Sequence, residues 1–511
     1  MARAGLWIHA MNDHELHLVR LGIDTHQEPI VYMRADCHVC RSEGFTAHSR
    51  VRVETNGSAL VATLNVVQGD LLKPGEAGLS ETAWGRLEAR SGQIARISHA
   101  PPVESLSALR SKIYGNALTD PQIEGILRDV VAGRYTDIEI AALLTGFSAA
   151  GLNLDETVGL TRGMVTVGGR LRWDQGIVAD KHCVGGLPGN RTTPIIVAIV
   201  ASLGICIPKT SSRAITSPAG TADAVETLTC VDLDLPSMRR VVEREGGCLV
   251  WGGAVGLSPV DDLLIRIERA LDIDSEAQLV ASVLSKKIAA GSSHVVIDIP
   301  VGPTAKVRSR ENAVQLAGLL DQVGTRLGLK VRTIITDGTQ PVGRGIGPAL
   351  EARDVLSVVQ GDVDAPNDLR ARSLALAAEV LELAGHCPAG HGERAAEAAL
   401  SDGRAWKKFQ AICDAQGGLR EPPQAQHRWI IDAPEAGRIA AIDNRRLSRA
   451  AKLAGAPSAK AAGISMRIRL GDFVETGEPL FELCAESAGE LAYSRNYLAA
   501  HPDIVRIGAN E

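Results

Sequence analysis

The sequence predicts a multidomain α/β protein: a β-rich N-terminal region, a helical stretch, a long region where strands and helices alternate, and a second β-rich tail. Three observations carry this. The chain has 511 residues, which at roughly 100–200 residues per domain makes about three or four domains. Apolar residues are 45% and charged residues 22% of the total, too apolar and too mixed in charge for a disordered chain. The hydrophobic period also changes along the chain, from that of a strand to that of a helix and then to an alternation of the two.

Taken in order, residues 1–102 carry alternating β-formers at 16–21, 29–34 and 49–54, divided by polar turns, and read as a small β-rich domain. Pro101-Pro102 marks a linker, because consecutive prolines favour an extended chain. From Val103 to about residue 167 the pattern is helical. Asp120-Pro121 offers a cap followed by a proline suited to a first turn, and Thr136-x-x-Glu139 and Asn153-x-x-Glu156 have capping-box spacing. Short apolar strands at 176–179, 205–208, 248–251, 294–300 and 331–336 then alternate with helices, one of them opening at Pro194. That is the pattern of a largely parallel sheet, whose functional groups sit in the loops that follow the strands. Beyond Glu421-Pro422-Pro423 the helical pattern stops. The turn at 471–480 looks like one from a biotinyl or lipoyl-type sandwich, but without a lysine motif for attaching a cofactor it reads as a structural or interaction domain.

Composition excludes several classes of function. Lys+Arg total 54 against 60 Asp+Glu, a net charge of -6, so no overall basic field exists to hold nucleic acid. Aromatics at 3% leave few rings for base stacking, and a bound nucleobase is expected to rest on hydrogen bonds and aliphatic walls. The apolar run at 195–201 ends at Ser202 and Gly204, far short of the roughly 20 residues that span a bilayer. Gly5-Leu6-Trp7-Ile8 is too short for a signal-peptide core, so a cytoplasmic protein is expected. The 9 cysteines are read as reduced thiols rather than a disulfide framework. Cys37 and Cys40 have metal-ligand spacing and His38 and His48 lie near, yet no second pair follows; two buried thiols in a turn are expected, and no metal.

Two loops carry the chemistry. Asp180-Lys-His-Cys-Val-Gly-Gly-Leu-Pro-Gly-Asn-Arg-Thr-Thr193 lies between a predicted strand and a predicted helix. Its glycines can turn backbone N–H groups toward an anion, a helix start adds partial positive charge, and Lys181, Thr192 and Thr193 add donors. A phosphate cradle and a plain tight turn both fit, and the P-loop pattern is absent. The next such loop, from Lys209 to Asp223, is rich in hydroxyls and holds Arg213. Two successive anion-binding loops at one sheet edge point to a ligand site.

Lys181-His182-x-x-Gly185-Gly186, Ser211/Ser212-Arg213, Gly220-Thr221-x-Asp223, Ser282-x-x-x-Lys286-Lys287 and the Thr336-Asp337 strand end resemble the signature loops of the thymidine phosphorylase family over about residues 103–511. The preceding β domain is similar to that of the long branch containing AMP phosphorylase. The resemblance implies an N-terminal β-rich domain (1–102), a helical domain in two segments (103–167 and 259–289), an α/β phosphate-binding domain (168–258 and 290–424) and a C-terminal α+β domain (425–511). The site would lie between the helical and α/β domains, and a homodimer or larger homo-oligomer is implied.

By this resemblance Lys181, Thr193, Ser211 and Thr221 bind phosphate. Gly186, Ser212, Arg213, Ala214, Ile215, Thr216, Ser217, Ser282, Lys286 and Lys306 bind substrate. Asp274 would protonate a leaving purine, or else cap a helix, and His182 would contact the base or orient its loop. Two departures stand out: Cys183 replaces a phosphate-binding serine, and Ile267, between Arg266 and Arg269, falls where a base-binding arginine is expected. The implied reaction is attack of inorganic phosphate, a co-substrate, on the anomeric carbon, with no cofactor. The hydroxyls and Arg213 exceed what one phosphate needs, which favours a nucleoside 5′-monophosphate such as AMP, giving ribose 1,5-bisphosphate and a free base. Thymidine is the alternative substrate. An anthranilate-type phosphoribosyltransferase, with Asp261-Asp262 as its magnesium pair, and a non-catalytic binding protein are the rival readings.

Overall fold

The computed structural model describes residues 14–508 apart from 215, 216, 272 and 274. The chain divides into two compact units, Met1–Asn116 with Gly125–Leu143 and Ala117–Glu124 with Leu144–Glu511.

In the first unit six strands, β1 (Glu15–Arg20), β2 (Ile30–Arg34), β3 (Arg50–Thr55), β4 (Ser58–Val67), β5 (Glu76–Leu79) and β6 (Ile94–His99), close into a barrel. Their order is β1-β5-β2-β4-β3-β6, and β6 pairs antiparallel with both β1 and β3 to complete the ring. Alternation explains the interior: Leu16, Leu18, Val31, Met33, Val51, Val53 and Ile97 face inward and are fully buried. Two short helices, α1 (His38–Glu43) and α2 (Glu81–Leu87), pack on this core. Cys37 caps α1, its Sγ accepting from the Cys40 backbone N–H at 3.2 Å. Both cysteines are buried free thiols, at the start of a helix rather than in an open turn. The helix α3 (Leu106–Ile113) follows; α4 (Asp120–Val131) and α5 (Asp137–Ala149) are each divided between the units.

The first helix wholly within the second unit is α6 (Leu154–Thr166), whose capping box forms as the spacing predicts. Glu156 N–H donates to Asn153 Oδ1, and Asn153 N–H to Glu156 Oε2, both at 2.9 Å. The alternating region runs β7 (Ala179–Cys183), α7 (Thr192–Ser202), β8 (Ile207–Ser211), α8 (Thr221–Glu226), α9 (Leu235–Glu245), β9 (Gly247–Trp251), α10 (Pro259–Leu271), α11 (Glu276–Ala289), β10 (His294–Val301), α12 (Arg310–Arg326) and β11 (Lys330–Asp337). β11, β10 and β7 form one parallel sheet and β8 and β9 another, joined by a parallel bridge between Val178 and Cys206. The apolar run at 195–201 is the interior of α7, buried from Thr192 to Ala201 against α14 (Asn367–Leu383) and α16 (Arg404–Ala415). Among the described residues no helix is long and apolar enough to cross a membrane.

Between β11 and α14 lie the short β12 (Gly345–Ile346) and α13 (Pro348–Gln360), and α15 (Gly392–Ser401) precedes α16. The tail adds β13 (His427–Asp432), β14 (Gly437–Ile442), α17 (Asn444–Leu453), β15 (Gly463–Met466), β16 (Phe473–Val474), β17 (Pro479–Ala485), α18 (Ala488–Ala500) and β18 (Val505–Gly508). They form two sheets, β12-β15-β17-β13 and β16-β14-β18, around Ile439, Leu447, Ile464, Phe481 and Leu483. β12 comes from the loop after β11, so the tail is hydrogen-bonded into the edge of the α/β region.

Two strands differ from the sequence expectation: β8 runs over Ile207–Ser211, not 205–208, so that Lys209 and Ser211 lie on it, and β7 is displaced as well. The first of the alternating strands is β7 at Ala179–Cys183, not 176–179. Its interior residues are Asp180, Lys181 and His182, charged or titratable groups; Asp180 is met by Lys209 of β8 and Lys287 of α11, and Lys181 by Thr192 of α7, so hydrophobic pattern does not reveal the strand. Lys181 and His182 therefore stand on a strand end and not in a loop. Pro194 is likewise not the first residue of its helix, which opens at Thr192.

Glu156 also accepts from Leu118 N–H at 2.9 Å and is buried. Glu156→Ala removes the acceptor of two backbone donors and should lower stability by about 2 kcal/mol, read as a reduced urea midpoint. An unchanged midpoint would contradict this role.

Candidate functional site

Because these strands are parallel, the loops after β7, β8, β9, β10 and β11 share the carboxyl edge of the sheet. In the loop after β7, Gly185, Gly186 and Gly189 have φ of 91°, 80° and 76°. A Cβ at Gly186 would collide with the Lys306 backbone, and one at Gly189 with the Val342 carbonyl. Glycine here lets this loop lie directly on the loops after β10 and β11, and it brings Gly186 and Lys306 together.

Lys181 is buried beneath the loop, its Nζ donating to Thr192 Oγ1 at 2.7 Å in the first turn of α7. Burial pushes its pKa down, and the carboxylate of Asp298 opposes that shift. A threonine hydroxyl that accepts from an ammonium keeps its own proton to donate, so Thr192 presents a donor at a helix N-terminus. Thr193, next to it, is also buried. Cys183 stays a thiol, pushed up to about 12 by burial and by Asp298. Its Sγ accepts from Asn190 Nδ2 at 3.4 Å and Gly185 N–H at 3.5 Å. Asn190 Nδ2 also donates to Asp298 Oδ2 at 3.0 Å, and Thr336 Oγ1 donates to Asp298 Oδ1 at 2.6 Å. Cys183, Asn190 and Thr336 thus fix the loop to β10 and β11.

The hydroxyl loop is organised by one side chain. Asp223 accepts from Ala214 N–H at 2.6 Å and Gly220 N–H at 2.9 Å, closing the loop at its neck, where Gly220 lies too close to Ser212–Ala214 for any Cβ. Ser211 Oγ is buried and finds no hydrogen-bond partner among the described residues. Thr221 Oγ1 accepts from Arg191 Nη1 at 2.7 Å, while the same guanidinium donates to Ala219 O and Glu351; the Thr221 proton is left to donate. Ser217 Oγ donates to Ala219 O at 2.9 Å.

Arg213, assigned to substrate by the sequence reading, is engaged elsewhere. It donates to both Glu226 oxygens at 2.8 and 2.7 Å, reaches Asp223 at 3.5 Å and Asp232 at 3.4 Å, and stacks on Trp251 at 4.7 Å. Hydrogen bonds from Arg213, joined by Lys460 at 2.6 Å, hold Glu226 down to about 2. Ile215, Thr216 and Asp274 lie outside the described residues.

On α11, Ser282 and Lys286 stand one turn apart on a part-exposed face. Lys286 Nζ binds Asp261 Oδ2 on α10 at 2.6 Å, so the first carboxylate of the expected magnesium pair already has a lysine. Ile267 is buried in α10. Lys287 turns the other way, its Nζ meeting Asp180 Oδ2 at 2.8 Å, and Lys209 Nζ reaches Asp180 Oδ1 at 3.3 Å. All three are buried. Sequence reasoning places Lys209 in a loop and gives Asp180 and Lys287 no role. The signal available is charge inside strands flanked by apolar residues. His182, further along β7, has a pKa far below the ordinary value, lowered by burial and by the charges of Lys287, Lys209, Lys286 and Lys181. The edge thus gathers lysines, each beside an aspartate, together with hydroxyl and backbone donors around a neutral imidazole, a chemistry able to receive an anion.

Residues 106–168 match the helical bundle domain of the glycosyl transferase family, and residues 175–406 match its a/b domain. The chain is 60% identical over 498 residues, 98% of each protein, to a Polaromonas sp. (strain JS666 / ATCC BAA-500) protein named "Putative thymidine phosphorylase". Proteins of that name in Maricaulis maris (strain MCS10) and Legionella pneumophila (strain Paris) are 57% identical over 489 residues (96% of this chain, 94% of that protein) and 55% identical over 509 residues (100% and 98%). Among solved structures, the anthranilate phosphoribosyltransferase of Thermus thermophilus aligns with a TM-score of 0.51 at 19% identity, covering 60% of this chain and 99% of that one. At that identity the likeness concerns the fold alone.

The low pKa of His182 gives a testable sign. In the unfolded chain its imidazole takes a proton near 6.5, whereas in the folded protein it does so only at lower pH. The stability tied to neutral His182 is therefore present above about 6.5 and lost as pH falls, at most about 1.4 kcal/mol per pH unit. Urea midpoints between pH 7 and 5 should fall less steeply in His182→Gln than in the wild type; equal slopes would contradict the assignment.

Proposed function

The chain belongs to the thymidine phosphorylase family and is a glycosyltransferase-type nucleoside phosphorylase, and from that premise we propose that it cleaves thymidine with inorganic phosphate to 2-deoxyribose 1-phosphate and thymine. This reverses the preference for AMP drawn from the sequence. The observation that carries the reversal is Arg213: a guanidinium already bound by Glu226, with Asp223 and Asp232 beside it and Trp251 beneath, has its fork occupied and is no ready receptor for a 5′-phosphate. The names of relatives at 60% and 55% identity support the same choice.

In this reading Lys181, Thr193, Ser211 and Thr221 hold the phosphate, with Thr192 and the glycine-loop backbone adding donors. Phosphate attacks the anomeric carbon as the glycosidic bond breaks, and positioning two reactants against each other supplies much of the acceleration. The departing pyrimidine leaves as an anion whose charge spreads over its carbonyl oxygens. Lys286 and Ser282 on α11, with neutral His182 as a hydrogen-bond donor, stabilise that charge as it develops. Such a base needs no proton on its ring to leave, so Asp274, assigned to protonation of a purine, has no required part. Ser212, Ala214 and Ser217 shape the loop around Ser211, while Gly186 and Lys306 form the opposite wall.

The experiment is a panel of thymidine, uridine and AMP with phosphate in EDTA, following free base and sugar 1-phosphate. Thymidine should be turned over with the highest kcat/KM without divalent metal. AMP as the preferred substrate would overturn the choice of substrate, and a requirement for magnesium would favour the phosphoribosyltransferase chemistry. Arg213→Gln should lower stability by about 1 kcal/mol, the group being part-exposed, and reduce turnover of thymidine and AMP by the same factor. Selective loss of AMP turnover would restore Arg213 to the substrate.

A further inference from the structure

The Asp180–Lys209–Lys287 cluster has no part in the reaction as derived above, yet it is the most heavily charged buried group in the α/β region. Asp180, Lys209 and Lys287 are 1%, 3% and 2% exposed. Asp180 is the carboxylate that both ammonium groups reach, at 3.3 and 2.8 Å. Its Oδ1 also accepts Lys181 N–H at 2.7 Å, and Lys209 Nζ donates to Thr210 O at 2.6 Å. A single negative charge therefore faces two buried positive ones. Burying an uncompensated charge is costly unless a partner arrives or the group gives up its proton.

The partner's position follows from strand geometry. Side chains two residues apart on a strand share a face, roughly 7 Å apart. On β7 that places His182 beyond Asp180, and on β8 it places Ser211 beyond Lys209. Ser211 Oγ is a buried hydroxyl without a partner among the described residues. The cluster thus lies directly beneath the strand ends where the anion is expected.

We propose that Asp180, Lys209 and Lys287 are positioning residues that form a proton-accepting cluster, which takes up one proton when an inorganic anion binds at the strand ends. In the free enzyme above neutral pH Lys287 is an uncharged amine. Anion binding transfers a proton from the buffer to that nitrogen, forming an N–H bond, so that two ammonium groups face Asp180 and the anion together. Burial, opposed by Asp180 and reinforced by Lys209, brings Lys287 down to about 7, the range in which this exchange operates. The groups near the cluster are His182 on β7, Cys206 just before β8, Cys248 on β9 and Lys286 on α11, while the Lys181 side chain leaves by the other face of β7 toward Thr192. Cys248 is held as a neutral thiol by burial, and the Asp261 carboxylate is taken up by Lys286, so neither brings a second negative charge to the cluster.

The proposal rests on the phosphorylase reading in one respect, that an anion binds at this edge. Calorimetry of the whole protein with sulfate, which does not titrate near neutrality, separates the two. At pH 8, titration in buffers of different ionisation enthalpy should show uptake approaching one proton per sulfate, and none at pH 6, where the amine is already protonated. Lys209→Met, which leaves a balanced Asp180–Lys287 pair, should abolish uptake and weaken sulfate binding at least about tenfold. Lys209→Arg should restore both, and uptake should survive in His182→Gln. If Lys209→Met does not fold, Lys287→Met makes the same test. Sulfate binding without proton uptake in the wild type, or uptake unchanged in the methionine variant, overturns the proposal. Absence of sulfate and phosphate binding altogether overturns the anion site itself and, with it, the phosphorylase reading.

Discussion

Asp180 lies at the centre of the second unit, bonded to Lys209 of β8 and Lys287 of α11 while its own backbone belongs to β7. β7 and β8 are joined by a bridge between Val178 and Cys206, near the start of both strands. The Asp180–Lys209 ion pair therefore helps keep the two strand ends side by side, and those ends carry Lys181, His182 and Ser211. Removing Asp180 would leave two buried ammonium groups without their carboxylate, a strongly destabilising change. The alignment of the cradle and the charge of the site are consequences of the same contact.

Above this layer, the loops are fixed by groups that satisfy backbone donors and one another. Asp223 closes the loop after β8, Arg191 ties Thr221 to Glu351, and Asp298 anchors the loop after β7 through Asn190. Lys181 and Arg191 leave the hydroxyl protons of Thr192 and Thr221 to donate elsewhere, because each oxygen is already accepting from a cation. The positive φ of Gly186 and Gly189 lets the backbone turn where a side chain would strike the neighbouring loops. A site of this kind holds its shape before the ligand arrives, which is what an electrostatic contribution to catalysis requires.

Much of this is legible in the sequence. The capping boxes at Thr136–Glu139 and Asn153–Glu156 form as their spacing implies, since a helix start is a local event. The strands at 248–251, 294–300 and 331–336 stand out because they are apolar and short. β7 escapes the pattern because its charges are paired with groups distant in the chain, which no window on the sequence reveals. The closure of the N-terminal barrel depends on β6 pairing with β1 and β3, a non-local register that alternation alone leaves open. Arg213 misleads for the same reason: an arginine beside a hydroxyl loop suits an anion, and the carboxylates that hold it become visible only when α8 folds back upon the loop. Residue types announce an anion site, but pairings decide which cations are free to serve it.

The central claim is that phosphate attached at this sheet edge is itself the nucleophile. Reaction of thymidine with phosphate labelled in every oxygen with oxygen-18, followed by mass spectrometry of the sugar phosphate, tests it directly. The account predicts a sugar 1-phosphate that retains the full label, including the oxygen bridging to the anomeric carbon. Free deoxyribose as the product, or a sugar phosphate lacking label in the bridging oxygen, would contradict it.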